Sequence, residues 1–339
     1  MIAIHTKSGS FAPVWVNFCR TRRIEYKAVD CFASDIMEQL RGCRALLWHW
    51  EHHDNTAALF ARQLIASIEK MGLSIFPSSA TCWHYDDKIG QKYLLEAIGA
   101  QLIPTHVFFD RDTALRWIEG TSFPKVWKLR GGAGSENVRL VRSADQARAL
   151  VRRSFGKGWT HSRLSNLRER IWHFRRDRSF VSLVNIGRGL ARAIIPHETH
   201  RNLPIQRGYA YFQDFIPDNR FDIRVVTIGE RSFAIKRHAR EGDFRASGSG
   251  RISYDVQDIP LECVEASFKI AAALSTQSIA YDFVFQEGRF LLVEISYAFS
   301  VPGYTRCAGY WDRELNWHQK PVLPEEFIIE DLIDEIHSI

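Results

Sequence analysis

The opening of the chain, up to Pro77, alternates strand-sized apolar runs with segments of helical period. Ile2–His5 reads as a strand, Val14–Arg22 as a helix and Glu25–Val29 as a strand. Ser34–Leu40 reads as a helix capped by Ser34, and Ala45–Trp48 as a strand. Thr56–Met71 reads as a helix ended by Gly72, and Leu73–Phe76 as a strand closed by Pro77. Strands separated by helices are joined by crossovers, so this alternation predicts a parallel sheet wound with helices. No GxGxxG follows the first strand, which argues against a dinucleotide site there.

The pattern then changes. Asp86–Ile98 reads as a helix, with Ile89, Tyr93, Ala97 and Ile98 as its apolar stripe, Asp86 as its cap and Gly99 as its stop. Thr105–Phe109 is extended, Thr113–Glu119 helical and Val126–Leu129 extended. From Tyr211 two hairpins flank a helix. Phe221–Ile228 turns at Gly229-Glu230 into Ser232–Arg237, Leu261–Leu274 is helical, and Tyr281–Phe285 turns near Gly288 into Phe290–Ile295. The expected class is therefore α/β at the N-terminus followed by α+β. A length of 339 residues suits about two domains or one large composite.

With 45% hydrophobic and 25% charged residues, disorder as the main state is excluded, and no internal repeat appears. The longest apolar runs are strand-sized, so no membrane helix is expected. Met1–His5 lacks the basic-then-apolar pattern of a secretory leader, which points to the cytoplasm. Six scattered cysteines without a CxxC pair predict reduced thiols and no structural zinc.

The net charge of +6 hides an asymmetry. Between Arg139 and Arg178 stand 12 Lys/Arg and 3 Asp/Glu, a local +9 that leaves the rest of the chain at −3. Arg163–Arg178 has helical spacing through Leu164, Leu167, Ile171 and Phe174. It reads either as an anion-binding face or as the solvated face of an inserted helix. No nucleic-acid-binding signature accompanies it.

Three constellations carry chemistry. Lys128 ends a strand that runs at once into Arg130-Gly131-Gly132-Ala133-Gly134-Ser135. Glycines let backbone N–H groups approach phosphate oxygens and the lysine supplies charge, although a plain hairpin connection would look the same. Asp282 and Glu294 each lie six residues from Gly288, so a hairpin centred there sets the two carboxylates opposite each other. Ser296 shares the face of Glu294. Such converging oxygens suit Mg²⁺; two ordinary exposed carboxylates are the alternative. Finally, Asp222 and Arg224 alternate with Ile223 and Val225, and Lys236-Arg237 follows across the turn. Those two point opposite ways, so only one can serve the same site as Asp222 and Arg224. Anion contacts and structural ion pairs both fit this third pattern.

Taken together, Asp86-Asp87-Lys88, Lys128–Ser135, Tyr211–Ile216, Asp222-Ile223-Arg224, Lys236–Arg245 and the Asp282…Glu294 pair resemble, in order and spacing, an ATP-grasp ligase. The resemblance covers about Thr81 to Tyr304. It is closest in style to the ligases that add glutamates to a ribosomal protein; glutathione synthetases and D-alanine–D-alanine ligases are more remote. It implies the ATP-grasp fold: an N-terminal open parallel-sheet domain over 1–85, a central lid over 86–210 with a basic helical insertion at about 155–206, and a C-terminal antiparallel α+β domain over 211–339. It further implies that ATP lies between two antiparallel sheets, with Lys88 and Lys128 near the phosphates, the Gly131, Gly132 and Gly134 loop closing over them, and Lys236 as a further nucleotide-binding residue. Gln213, Asp214, Phe215 and Ile216 would form the adenine hinge, and Asp222 would meet the ribose. Arg237 and Arg224 would be catalytic, with Arg237 holding the γ-phosphate or the acyl-phosphate. Asp282, Glu294 and Ser296 would bind Mg²⁺, and Arg245, Ser247, Tyr304 and Trp311 would meet substrate.

The implied activity is ATP-dependent amide formation between a carboxylate and an amine through an acyl-phosphate. A non-catalytic nucleotide- or anion-binding module of the same fold is the alternative. The family usually carries Asn two residues after the metal-binding Glu, where this chain has Ser296, and close relatives carry another Asn where it has Ser247. The stretch Tyr297…Gly303-Tyr304…Tyr310-Trp311…Trp317-His318 resembles uncharacterised ATP-grasp proteins of bacterial surface-polysaccharide clusters. Its rings could stack on a sugar, which suggests a uronic-acid-type substrate; a peptide or amino acid is the rival. The expected partners are small-molecule carboxylates and amines, with a nucleotide-sugar or acidic glycan among them, and a second copy in a homodimer. No nucleic acid and no membrane segment are expected. Trp48–His53, at the end of the third strand, reads as a metal site, a substrate wall or simple packing.

Overall fold

The computed structural model describes residues 1–7, 9–51, 54–132, 137–159, 205–239 and 249–338. The chain divides into two compact units, Met1–Ile103 with Ile216–Ile339, and Pro104–Phe215. The first unit opens with β1 (Ile2–His5), α1 (Ala12–Thr21), β2 (Tyr26–Val29), α2 (Ile36–Gln39), β3 (Ala45–Leu47), α3 (Asn55–Lys70) and β4 (Ser74–Phe76). Every strand pair is parallel, in the order β2-β1-β3-β4. Every residue of β1, β3 and β4 is buried. Burial on both faces explains why these strands read as unbroken apolar runs.

Two helix starts differ from expectation. Ser34 does not cap α2; Asp35 holds that place, and its carboxylate makes no capping bond to the helix backbone. After α4 (Ser79–Cys82) comes α5 (Lys88–Ala97), capped by Asp87 and not Asp86. The Asp87 carboxylate accepts from Gly90 N at 3.0 Å, while Asp86 takes a left-handed φ of 53° outside the helix. Lys88 thereby becomes the first helical residue.

The second unit holds β5 (Thr105–Phe108), α6 (Arg111–Gly120), β6 (Lys125–Lys128), β7 (Val138–Val141), α7 (Ala144–Phe155) and β8 (Ala210–Asp214). Its antiparallel sheet runs β5-β8-β6-β7. The first unit resumes with β9 (Phe221–Ile228), β10 (Arg231–His238), β11 (Ile252–Ser253), α8 (Leu261–Leu274), β12 (Ser278–Gln286), β13 (Arg289–Ser296), β14 (Tyr310–Trp311), β15 (Trp317–His318) and α9 (Pro324–Ser338). These strands form an antiparallel sheet ordered β13-β12-β9-β10-β14-β15, with β11 beside β10. Helix α5 packs on β13 within this unit.

Alternation along β9, β10 and β12 sorts this sheet into two faces. Ile223, Val225, Tyr281 and Phe283 join Val264, Phe268 and Leu274 of α8 in one core. Val226, Ile228, Phe233 and Ile235 join the parallel sheet and Phe327, Ile328 and Leu332 of α9 in the other. Each such side chain taken fully out of water stabilises by roughly 1.5–3 kcal/mol. All six cysteines are free thiols, five of them buried. Among the described residues no helix is long and apolar enough to cross a membrane.

Candidate active site

The face shared with the larger core becomes charged toward one end. Asp282 on β12 stands opposite Glu294 on β13, and its other neighbour is Arg224 on β9. Asp222 on β9 stands opposite Arg237 on β10. The Asp282–Glu294 pairing depends on a detail that counting from Gly288 does not reveal. Gln286 pairs with Arg289, so the turn is Glu287-Gly288, both at positive φ. A regular ladder from that turn would pair Asp282 with residue 293. An irregularity between Asp282 and Phe283, where Phe283 pairs with Leu292, restores Glu294 to the position opposite Asp282. Such a bulge re-aims side chains at the cost of one unpaired position.

The charged groups form a continuous set. Arg237 grips Asp222 as a fork, Nε to Oδ1 and Nη2 to Oδ2, both at 2.7 Å. The same Nη2 lies 2.9 Å from Asp282 Oδ1, and Arg224 Nε lies 2.7 Å from that oxygen. Lys88 Nζ, at the start of α5, stands 3.6 Å from Glu294 Oε2. Burial opposes the charge on Arg237, but Asp282 and Asp222 hold its pKa well above the ordinary value. Burial alone would raise Asp282, yet Arg224 and Arg237 keep its carboxyl below the usual range. Burial keeps the Asp222 carboxyl up, against the pull of Arg237. Tyr304 adjoins this set, and burial pushes its phenol up to about 12.

A divalent cation fits part of this arrangement. Asp282 and Glu294 face each other across adjacent strands, and Glu294 is one-third exposed. Asp282 Oδ1 is buried, with the Arg224 and Arg237 guanidinium groups beside it. Mg²⁺ commonly takes one or two carboxylates and completes its shell with phosphate and water. The Ser296 hydroxyl donates to Ala298 O at 2.6 Å, leaving its lone pairs available. Among the described residues no cluster of three or more metal-ligating side chains occurs.

The remaining expected residues scatter further. In the second unit Lys128 Nζ donates to Gln213 Oε1 at 2.7 Å, and Gln213 Nε2 donates to Thr105 Oγ1 at 3.1 Å. Asp214 takes the opposite face of β8, with Lys125 Nζ at 2.6 Å; Phe215 and Ile216 follow that strand. Gly131 and Gly132 follow β6, Gly132 at φ +114°. Lys236 lies on the face opposite Arg237, with its ammonium 2.8 Å from Asp258 Oδ1 and over the Phe221 ring, so it does not join the charged set. Gly134, Arg245, Ser247 and the basic stretch Arg163–Arg178, expected to be helical, lie outside the described residues.

The aromatic tail is where the structure departs most from expectation. Tyr304 is 2% exposed and packs edge-on to Phe233 and Phe299. Trp311 is 4% exposed, lies in the α8 core, and sits 4.7 Å from Trp317. Neither presents a ring face on which a sugar could stack. Trp48, His49 and Trp50 are buried too, with His49 stacked on Phe11 at 3.7 Å. Asp258, the partner of Lys236, carried no sequence signal. It stands 22 residues away and meets the lysine only through the β10–β11 pairing.

No protein-family model and no curated protein sequence matches the chain. Solved structures do match in shape. A RimK domain ATP-grasp protein from Sphaerobacter thermophilus is 17% identical, with 87% of this chain and 89% of that one covered and a TM-score of 0.51. The D-cycloserine synthetase DcsG is 13% identical, with 99% of each chain covered and a TM-score of 0.60. The ATP-grasp ligase PsnB, solved with a minimal precursor, Mg and ADP, is 13% identical, with 99% of this chain and 98% of that one covered and a TM-score of 0.56. Identities this low speak to architecture, and the match runs over nearly the whole chain. With its parallel N-terminal sheet and two antiparallel sheets, this protein has the ATP-grasp fold.

Proposed function

We propose that the protein is an ATP-dependent carboxylate–amine ligase that forms an amide through an acyl-phosphate. The observation that carries the reading is the Asp222–Arg237–Asp282–Arg224 set on one face of the sheet, continued by Glu294 and by Lys88 of α5. In the first step a substrate carboxylate oxygen bonds the γ-phosphorus of ATP and the bond to the ADP oxygen breaks. In the second an amine bonds the acyl carbon, phosphate leaves, and the amine loses a proton. Such chemistry needs fixed cations and positioning more than a protein nucleophile. Arg224 would hold the phosphoryl oxygens with Lys88 beside it, and Arg237 would keep Asp222 and Asp282 in place. Lys128, Gln213 and the Gly131–Gly132 turn are the proposed nucleotide contacts of the second unit. Asp282 and Glu294 would hold Mg²⁺, which supplies charge neutralisation at the phosphates when bound. Gly134, Arg245 and Ser247 keep their assigned roles as proposals.

One observation favours a second reading. Ser296 spends its only proton on Ala298 O and is a poorer ligand than an amide, as in a nucleotide-binding module that no longer turns over. A single experiment separates the two. Incubation with ATP, Mg²⁺ and hydroxylamine should trap the acyl-phosphate as a hydroxamate with stoichiometric ADP. A panel of sugar acids, amino acids and peptides names the substrate class. Hydroxamate from amino acids or peptides alone removes the sugar-acid reading. No ADP from any member removes the ligase.

A further inference from the structure

A second set of polar groups in the first unit is left unmatched among the described residues. The segment after β3 ends at Trp50, and α3 brings Arg62 beside it, its guanidinium carbon 5.7 Å from the Trp50 ring centroid. Arg62 is half-buried and donates through Nη2 to Tyr85 O. Among the described residues no carboxylate pairs with it. Among the described residues its Nε, the Trp50 Nε1 and both ring nitrogens of His84 are buried without a hydrogen-bond partner. Trp50 is 2% exposed and His84 fully buried. More than nine in ten buried polar groups in proteins are paired, so several exceptions around one side chain call for a common cause.

The chemistry of the unmatched groups identifies what would satisfy them. Burial and the Arg62 charge pull the His84 pKa down to about 4, so its ring is neutral and donates from one nitrogen. Asp87, the carboxylate that His84 senses, is engaged as the α5 cap. What remains is a guanidinium, an indole N–H and a neutral imidazole with one N–H and one acceptor nitrogen, so donors outnumber acceptors and carry one positive charge. Their complement is a small oxyanion, and the planar guanidinium fork matches a carboxylate. The aromatic floor is built, with Trp50–Tyr85 at 5.0 Å and Tyr85–Tyr297 at 4.6 Å. Tyr297 follows Ser296 directly, and its hydroxyl accepts from Trp50 N at 3.1 Å. The set also lies beyond the C-terminal end of a strand in an open parallel sheet, where such folds place ligands.

We propose that Arg62, Trp50 and His84 recognise a carboxylate of the substrate other than the one that reacts. The role as substrate site rests on the ligase reading; the anion binding does not. Calorimetric titration without ATP, using glutarate and inorganic phosphate as probes, tests it. Wild-type protein should bind glutarate, and Arg62→Gln should weaken that binding by about tenfold or more, the scale of a lost charge-assisted pair. Trp50→Phe, which keeps the ring and removes the N–H, should weaken it less. Arg62→Lys, which keeps the charge and loses the fork, covers the case in which Arg62→Gln does not fold, and should also bind glutarate more weakly. ATP affinity should be unchanged in all three. Wild-type protein that ignores glutarate, variants that bind it equally well, or a preference for phosphate would each overturn the proposal. Because no turnover is read, failure of the ligase reading leaves these results interpretable.

Discussion

Arg237 is the residue on which the charged face depends, and replacing it tests that claim quantitatively. Arg237→Met keeps much of the side-chain volume and removes the guanidinium. Asp222 then loses both of its 2.7 Å bonds and Asp282 one of its two cations. The side chains of all three are only 8–10% exposed, so solvent screening offers little relief. Removing one member of a buried ion pair costs about 3–5 kcal/mol, because the partner charge stays buried without compensation. Urea unfolding at pH 7 should show a loss of that size. The loss should shrink as the pH falls. Asp282 has a folded pKa below its unfolded value, so its stabilising contribution is present above the unfolded pKa and lost as the pH drops through the folded one. Asp222, already raised by burial, rises further without Arg237 and sheds its charge early on acidification. Near pH ~3.5, below the ordinary carboxylate pKa values, much of the penalty should be gone. Pairing the change with Asp222→Asn should recover part of it, since contacting residues couple by up to about 3 kcal/mol. A loss below about 1 kcal/mol at pH 7, the level of an exposed pair, would refute the buried network. So would a loss that does not change with pH.

Glu294→Gln should raise the Mg²⁺ concentration needed for half-maximal hydroxamate formation while leaving the melting temperature in place, because Glu294 is one-third exposed. Ser296→Asn should lower that requirement by restoring an amide oxygen beside Glu294; a higher requirement would mean that the hydroxyl suits this site better. Asp87→Ala should destabilise by about 1 kcal/mol through loss of the N-cap bond to Gly90, read by urea unfolding, whereas Asp86→Ala should not cost a cap.

The periodicities that set the architecture were legible because they are local. Parallel strands without alternation, and period-two strands with carboxylates and arginines on one side, follow from burial on two faces or one. The choice between Lys236 and Arg237 was not local. Alternation separates them, but only the antiparallel register, with Arg237 opposite Asp222, decides which joins the site. The Asp282–Glu294 pairing was reached by counting from Gly288, and the count succeeds only because the irregularity after Asp282 offsets a turn placed half a residue earlier. Asp86 and Asp87 are equivalent as caps on paper; the left-handed φ of Asp86 breaks the tie. Trp311 shows the sharpest limit. A tryptophan next to tyrosine and near more tryptophan has the composition of a sugar platform. Pairing of Trp311 with Ser232 on β10 instead turns the ring into the α8 core. Burial of that kind depends on a contact 79 residues away along the chain, and no window of sequence contains it.

The gradient of exposure across the charged face divides the roles proposed for its arginines. Lys88, Arg224 and Arg237 balance Asp222, Asp282 and Glu294, so the face as described has no surplus charge of either sign. The members are not equally placed. Asp222, Arg237 and Asp282 form the buried layer, while Arg224 is 21% exposed and Glu294 35%. Arg237 already commits Nε and Nη2 to two carboxylates. Moving it toward a phosphate would leave both uncompensated in a place where that is expensive. Arg224 touches Asp282 through Nε and stands nearer to solvent. It is therefore the better candidate for direct contact with a transferring phosphoryl group, with Arg237 holding Asp222 and Asp282 in the geometry that keeps Arg224 and Glu294 aimed. Both arginines matter to the chemistry under this arrangement. Loss of Arg224 falls on catalysis, whereas loss of Arg237 falls first on the fold.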